Sequence, residues 1–220
     1  AKEMDLLRFR APEKINDIIF QYSNDDNVHL VDTKTLFEAH SKAGIIGNEL
    51  MTEHVHPNVE GNFLIADAVY NKIRELQFLG DNWENFIPYS EALKDIPITR
   101  IDSIRGKMIV EDLKRSWPYD LEMSGRNPIR GYYSIENPSY EERKAIGLYS
   151  GIEKWEDVMR EAYHTYKSQG DFENALRVAQ SLISEFPEQP KVYEMAGNIC
   201  MEMDRVDCAE FYFRKGNDLK

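Results

Sequence analysis

Apolar residues three and four positions apart recur along most of the chain, which is the spacing of one face of an α-helix. After Pro12, Ile15, Ile18, Ile19 and Tyr22 share a face. Thr33 is placed to cap a helix over Lys34–Lys42 that Gly44 ends. A longer helix, Val59 to Leu79, carries Phe63, Ala66, Val69, Tyr70, Ile73 and Leu76 as its apolar stripe, and Gly80 stops it. Short helical pieces are predicted at Trp83–Phe86 and Ser90–Asp95, and a longer one at Ile101–Arg115. From Ser139 the pattern resumes as Ser139–Leu148, Lys154–Gln169, Phe172–Phe186, Gln189–Met203 and Val206–Leu219. One run departs from it. Val28-His29-Leu30-Val31-Asp32 is short and largely apolar, and predicts a buried parallel strand. The expected fold class is therefore mainly α, with an incomplete α/β segment at the start.

The last four helices repeat. Ala162, Tyr166, Gly170, Asp171 and Ala175 align with Ala196, Cys200, Asp204, Arg205 and Ala209 at a constant offset of 34 residues (196 − 162 = 34; 209 − 175 = 34). A helix–turn–helix unit of that period resembles the tetratricopeptide (TPR) repeat. The small residues let paired helices approach, and Gly170-Asp171 makes the tight turn. Large residues such as Tyr166, Leu182, Tyr193 and Phe213 fill the spaces between pairs. The second unit departs from the pattern, with Asp204 in place of the glycine and no closing proline. Residues 117–138, with Pro118, Pro128, Pro138, Gly125 and Gly131, read as a connecting segment. Three regions follow: 1–80, a helical connector and linker over 81–138, and the repeats over 139–220, with Ser139–Leu148 and the helices before it as the packing face that two repeats lack by themselves.

Bulk composition narrows the function classes. The 220 residues include 42% hydrophobic and 30% charged side chains, an ordinary globular balance. A formal net charge of −12 repels phosphate backbones, so nucleic acid is excluded as a partner. No apolar run approaches the roughly 20 residues of a membrane span. Cys200 and Cys208 make no disulfide framework and no metal pattern, and read as small buried residues. No cofactor or metal is called for. His54 and His56 lie two apart but lack a convergent third ligand, and His29, His40 and His164 read as structural. Arg8 and Arg10 with Asp5 read as ion-pair partners. Trp83, Phe86, Tyr89 and Trp117 read as packing aromatics.

The chemistry concentrates in Glu53-His54-Val55-His56-Pro57-Asn58, which sets a carboxylate three residues before a histidine, just ahead of an amphipathic helix. Such a loop can supply a base together with the acid that orients it. With Asp5-Leu6-Leu7-Arg8-Phe9-Arg10-Ala11-Pro12, Asn16-Asp17-Ile18-Ile19, Gly47-Asn48-Glu49-Leu50 and Gly61-Asn62, this loop makes residues 2–79 resemble the C-terminal end of an SGNH (GDSL-type) hydrolase, of the branch that carries TPR repeats behind its catalytic domain. The resemblance implies His56 as general base and Glu53 as its orienting acid, although the family's usual acid is aspartate. It also implies a nucleophilic serine in a Gly-Asp-Ser context earlier in the chain order. Gly80-Asp81-Asn82 and Gly170-Asp171-Phe172 lack that serine, so the catalytic partner is expected in an upstream segment and this chain by itself is expected to be inactive.

Two readings follow. One is the end of an ester hydrolase with attached repeats, acting on acyl or acetyl esters of a lipid or sugar. The other is a TPR scaffold that grips a protein or peptide, with an inert histidine loop. Tyr163, Tyr166, Lys167 and Asn198 are the predicted protein-binding positions, on the first helices of the two repeats.

Overall fold

The computed structural model describes residues 12–23, 25, 27–53, 55–80, 86–115 and 136–220. Among these residues the chain is mainly helical and contains no strand. The expectations for Asp5, Arg8, Arg10, His54, Trp83, Trp117 and most of the 117–138 linker lie outside the described residues. Two compact units divide at Lys94, Ala1–Lys94 and Asp95–Lys220.

The first unit contains α1 (Glu13–Tyr22), α2 (Thr33–His40), α3 (Val59–Glu75) and the single turn α4 (Tyr89–Ala92). Its core is small: Phe37, Leu50 and Leu64 are buried, with Leu36, Met51, Ile65 and Tyr89 packed on them. α1 is amphipathic as predicted, yet it buries nothing; Ile15, Ile18, Ile19 and Tyr22 are all exposed. Lys34 on α2 reaches Glu13 on α1 at 2.7 Å.

Val28–Asp32 is not the expected strand. It has no ladder partner among the described residues, and a strand without one cannot satisfy its backbone. Instead the Thr33 amide turns back to the Val31 carbonyl at 2.9 Å. The Asp32 carboxylate caps α2 by accepting from the Thr35 amide, at 3.1 Å. The cap thus falls one residue earlier than expected, and the Thr35 hydrogen bonds hold the Asp32 carboxyl below its ordinary range.

The second unit contains α5 (Arg100–Lys114), α6 (Tyr140–Tyr149), α7 (Trp155–Ser168), α8 (Phe172–Glu185), α9 (Pro190–Glu202) and α10 (Val206–Asp218). One continuous core runs from Ile101 and Met108 on α5, through Ala145 and Leu148 on α6, to Val158, Ala175, Leu182, Val192, Ile199 and Ala209 on the last four helices. α5 packs with the helices that follow it. It is tied there by a hydrogen bond from the Trp155 indole N–H to Asp102 at 2.8 Å, and by one from the Tyr149 hydroxyl to Asp112 at 2.9 Å. Helices α5 and α6 supply the packing face that two repeats lack.

The repeat is visible in the backbone itself. Gly170 and Asp204 both take positive φ, +74° and +55°. The amides of Asp171 and Arg205 close the two turns on the Tyr166 and Cys200 carbonyls, each at 2.9 Å. These pairs are related by the same offset of 34 (170 + 34 = 204; 171 + 34 = 205).

Side-chain volume is distributed differently in the two hairpins. A Cβ on Gly197 would lie 2.6 Å from the Phe213 ring, so only glycine admits that ring. The equivalent positions in the first hairpin are Tyr163 and Ala179 (197 − 34 = 163; 213 − 34 = 179). The bulky partner sits on the second helix of one hairpin and on the first helix of the other, which keeps the interior filled.

The cysteines correct an expectation. Cys200, fully buried on α9, is disulfide-bonded to Cys208 at the start of α10. They stand where Tyr166 and Asn174 stand in the first hairpin (200 − 34 = 166; 208 − 34 = 174), so the bond fills a contact position of the turn. Their meeting depends on the folded hairpin and is not visible in their spacing along the chain.

Asp204 is exposed and occupies a left-handed conformation that costs a side-chain-bearing residue roughly 1 kcal/mol. Asp204→Gly is expected to raise the stability of the second unit by up to about that amount, measured as an upward shift in urea midpoint; a downward shift would show that Asp204 holds the turn by its side chain.

Candidate active site

The histidine loop is built on the entry to α3. Asn58 is the N-cap of that helix, its Oδ1 accepting from the Gly61 amide at 2.9 Å. Before it, residues 48–52 form one arm of the loop and residues 56–58 the other. The arms are joined by an isolated antiparallel bridge, Met51 to Pro57. The Thr52 amide donates to the His56 carbonyl at 2.8 Å, and the Asn58 amide donates to the Leu50 carbonyl at 2.9 Å. Gly61 lets the first turn of α3 lie directly on this arm, since a Cβ there would come within 2.2 Å of the Leu50 oxygen.

Glu53 sits at the tip, and its side chain is almost completely buried, at 2% exposure. Burying a carboxylate is unfavourable unless its oxygens are hydrogen-bonded. Here Oε1 accepts from the His56 amide at 2.8 Å and Oε2 accepts from the Val55 amide at 3.2 Å. Oε1 also meets Nδ1 of the His56 ring in a short contact. The ring itself is 73% exposed. A carboxylate on Nδ1 puts the ring proton on that nitrogen and leaves Nε2 as a proton acceptor. The pair therefore has the geometry of a general base and its orienting acid, on a ring that is largely exposed. Nearby, Glu49 is held below the ordinary carboxyl range, first by the hydrogen bond of its own amide.

The other candidate residues lie in the second unit. Tyr163 and Tyr166 are buried rather than presented on a surface. The Tyr163 hydroxyl donates to the Met195 carbonyl at 3.0 Å, and the Tyr166 hydroxyl donates to Glu141 at 3.0 Å. Burial first, and then the Glu141 carboxylate, push the Tyr166 hydroxyl well above its ordinary pKa. Both tyrosines are packing residues because the period that marks them as first-helix positions also turns them inward. Lys167 is half-buried and pairs with Glu202 at 3.2 Å, and Asn198 is exposed. The register adds two positions that sequence reasoning passed over. His164 is equivalent to Asn198 and Met201 to Lys167 (164 + 34 = 198; 167 + 34 = 201), and His164 and Met201 are both exposed. These four side chains form the outward row of α7 and α9.

Among the described residues no group of three His, Cys, Asp or Glu side chains could hold a metal ion. None of the described helices is long and apolar enough to cross a membrane. No family model, no curated protein and no solved structure matches this chain.

The Glu53 carboxylate supports the loop as well as the ring. Glu53→Ala removes the charged acceptor of the Val55 and His56 amides and is expected to cost the first unit about 1–3 kcal/mol, the scale of hydrogen bonds to a charged group, read from urea unfolding followed by the amide signals of α3. A loss below about 0.5 kcal/mol, the scale of an ordinary surface substitution, would contradict that role.

Proposed function

We propose that the segment up to Gly80 is the acid-and-base end of a serine ester hydrolase of the SGNH (GDSL) kind, followed by a TPR-like interaction module. The observation that carries this reading is the Glu53 carboxylate on Nδ1 of a largely exposed His56 ring. In the proposed reaction a serine from an upstream segment approaches Nε2. Its hydroxyl proton passes to His56 as the serine oxygen attacks the ester carbonyl. The charge that develops on the imidazolium is stabilised by Glu53, and the proton is then returned to the departing alcohol. Acyl or acetyl esters of a lipid or sugar are the proposed substrates.

A glutamate can replace the usual aspartate here because the loop folds back far enough for one oxygen to reach both the amide and the ring of His56. The longer side chain is accommodated by burial. This chain alone is proposed to lack esterase activity. In the protein extended upstream to include a Gly-Asp-Ser serine, His56→Ala is expected to lower kcat on p-nitrophenyl acetate by about three orders of magnitude or more, since triad members act as a unit. An unchanged rate would contradict the assignment.

The second reading, a protein-binding module, is favoured by the row His164, Lys167, Asn198 and Met201, which recurs at the repeat period on α7 and α9. A peptide laid across both helices would meet a polar side chain on each. If this row grips a protein, the double variant Lys167→Glu, Asn198→Glu should abolish capture of a partner that the unaltered chain retains in a pull-down. Equal capture would leave the repeats with a packing role only.

A further inference from the structure

We infer that Asn58 is the positioning residue of the histidine loop: its side-chain amide locks the two arms together so that the Glu53 carboxylate and the His56 ring meet. This rests on the reading of Glu53 and His56 as an acid–base pair.

The Asn58 side chain has two separable tasks. Oδ1 caps α3 through the Gly61 amide. Nδ2 points the other way and donates to two carbonyls of the opposite arm, Asn48 at 3.1 Å and Glu49 at 3.0 Å. Its backbone amide adds a third bond to that arm, at Leu50. The helix needs only the oxygen, and the loop needs the nitrogen.

The short stretch that joins the arms carries Glu53 and leads into His56 at the start of the second arm. Its closure fixes how far the chain must fold back, and hence whether one carboxylate oxygen can reach the His56 amide and ring together. Asn62 reinforces the same side by donating from its own side chain to the Pro57 carbonyl at 3.1 Å. The absence of a side chain at Gly61 lets the Leu50 carbonyl of the same arm lie directly against the first turn of α3. Asn58 touches neither the ring nor any reacting atom; it acts through the backbone of the loop.

Asn58→Asp separates the two tasks. Aspartate caps a helix as well as asparagine does, but it replaces the Nδ2 donors by a carboxylate oxygen facing two carbonyl oxygens. In the whole chain, NMR would follow the Nδ1–H resonance of His56 alongside the Leu64 methyl signals, which report whether the first unit is folded. The expected result is loss of the Nδ1–H resonance with the Leu64 signals retained. Retention of that resonance in a folded Asn58→Asp chain would overturn the inference. Should Asn58→Asp unfold the unit, Asn58→Ser, which keeps a cap oxygen without the negative charge, decides. Loss of the ring resonance in a folded chain supports the role; an intact resonance, or an unfolded unit in both variants, overturns it. The readout needs neither ester nor serine. If it behaves as expected while His56→Ala leaves ester turnover in the extended protein unchanged, the hydrolase reading fails and the positioning role stands.

Discussion

One buried carboxylate organises the histidine loop of this molecule. Glu53 has little access to water and is held by the amides of Val55 and His56, so its charge is met by donors from its own loop. The same oxygen that takes the His56 amide also takes the ring nitrogen. Loop closure and ring orientation are therefore coupled. A change that opens the loop would release the imidazole, and a change that removes the carboxylate would unbind the loop. This is why the site can stand on a small core of Phe37, Leu50 and Leu64: the constraints on it are local, set by Asn58, Gly61 and the arms of the turn.

The second unit solves a different problem. Four helices at a fixed period present two similar hairpins, but the interior is not a copy. Gly197 faces the Phe213 ring at the positions that Tyr163 and Ala179 hold in the first hairpin, so the large ring is carried by the other helix of the pair. Asp204 takes the turn conformation that Gly170 takes more readily. At the other end, α5 and α6 complete the stack through Ile101, Met108, Ala145 and Leu148. Period fixes the backbone here, and compensating volumes tune each layer.

Much of the helical organisation is legible along the chain because amphipathic spacing, Gly170 and the 34-residue offset all act locally. The Glu53–His56 spacing is legible for the same reason, as three residues in one turn. What escapes is whatever depends on a partner distant in sequence. Val28–Asp32 has strand-like residues, but an apolar run says nothing about whether another strand will pair with it. Tyr163 and Tyr166 look like binding aromatics until packing against Met195 and Glu141 turns them inward. Cys200 and Cys208 meet only once the hairpin is folded. Asn58 stands just ahead of α3 along the chain, but the reach of its Nδ2 to Asn48 and Glu49 exists only in the folded loop.

The central claim is that Glu53 holds the His56 ring in one tautomer, with Nε2 free to take a proton. Nitrogen-15 chemical shifts of the two ring nitrogens, recorded on the unaltered chain above the pH at which the ring is protonated, test it most directly. The account predicts a protonated, pyrrole-like Nδ1 and an unprotonated, pyridine-like Nε2. The reverse assignment, or two nitrogens averaged between the forms as in free histidine, would contradict it.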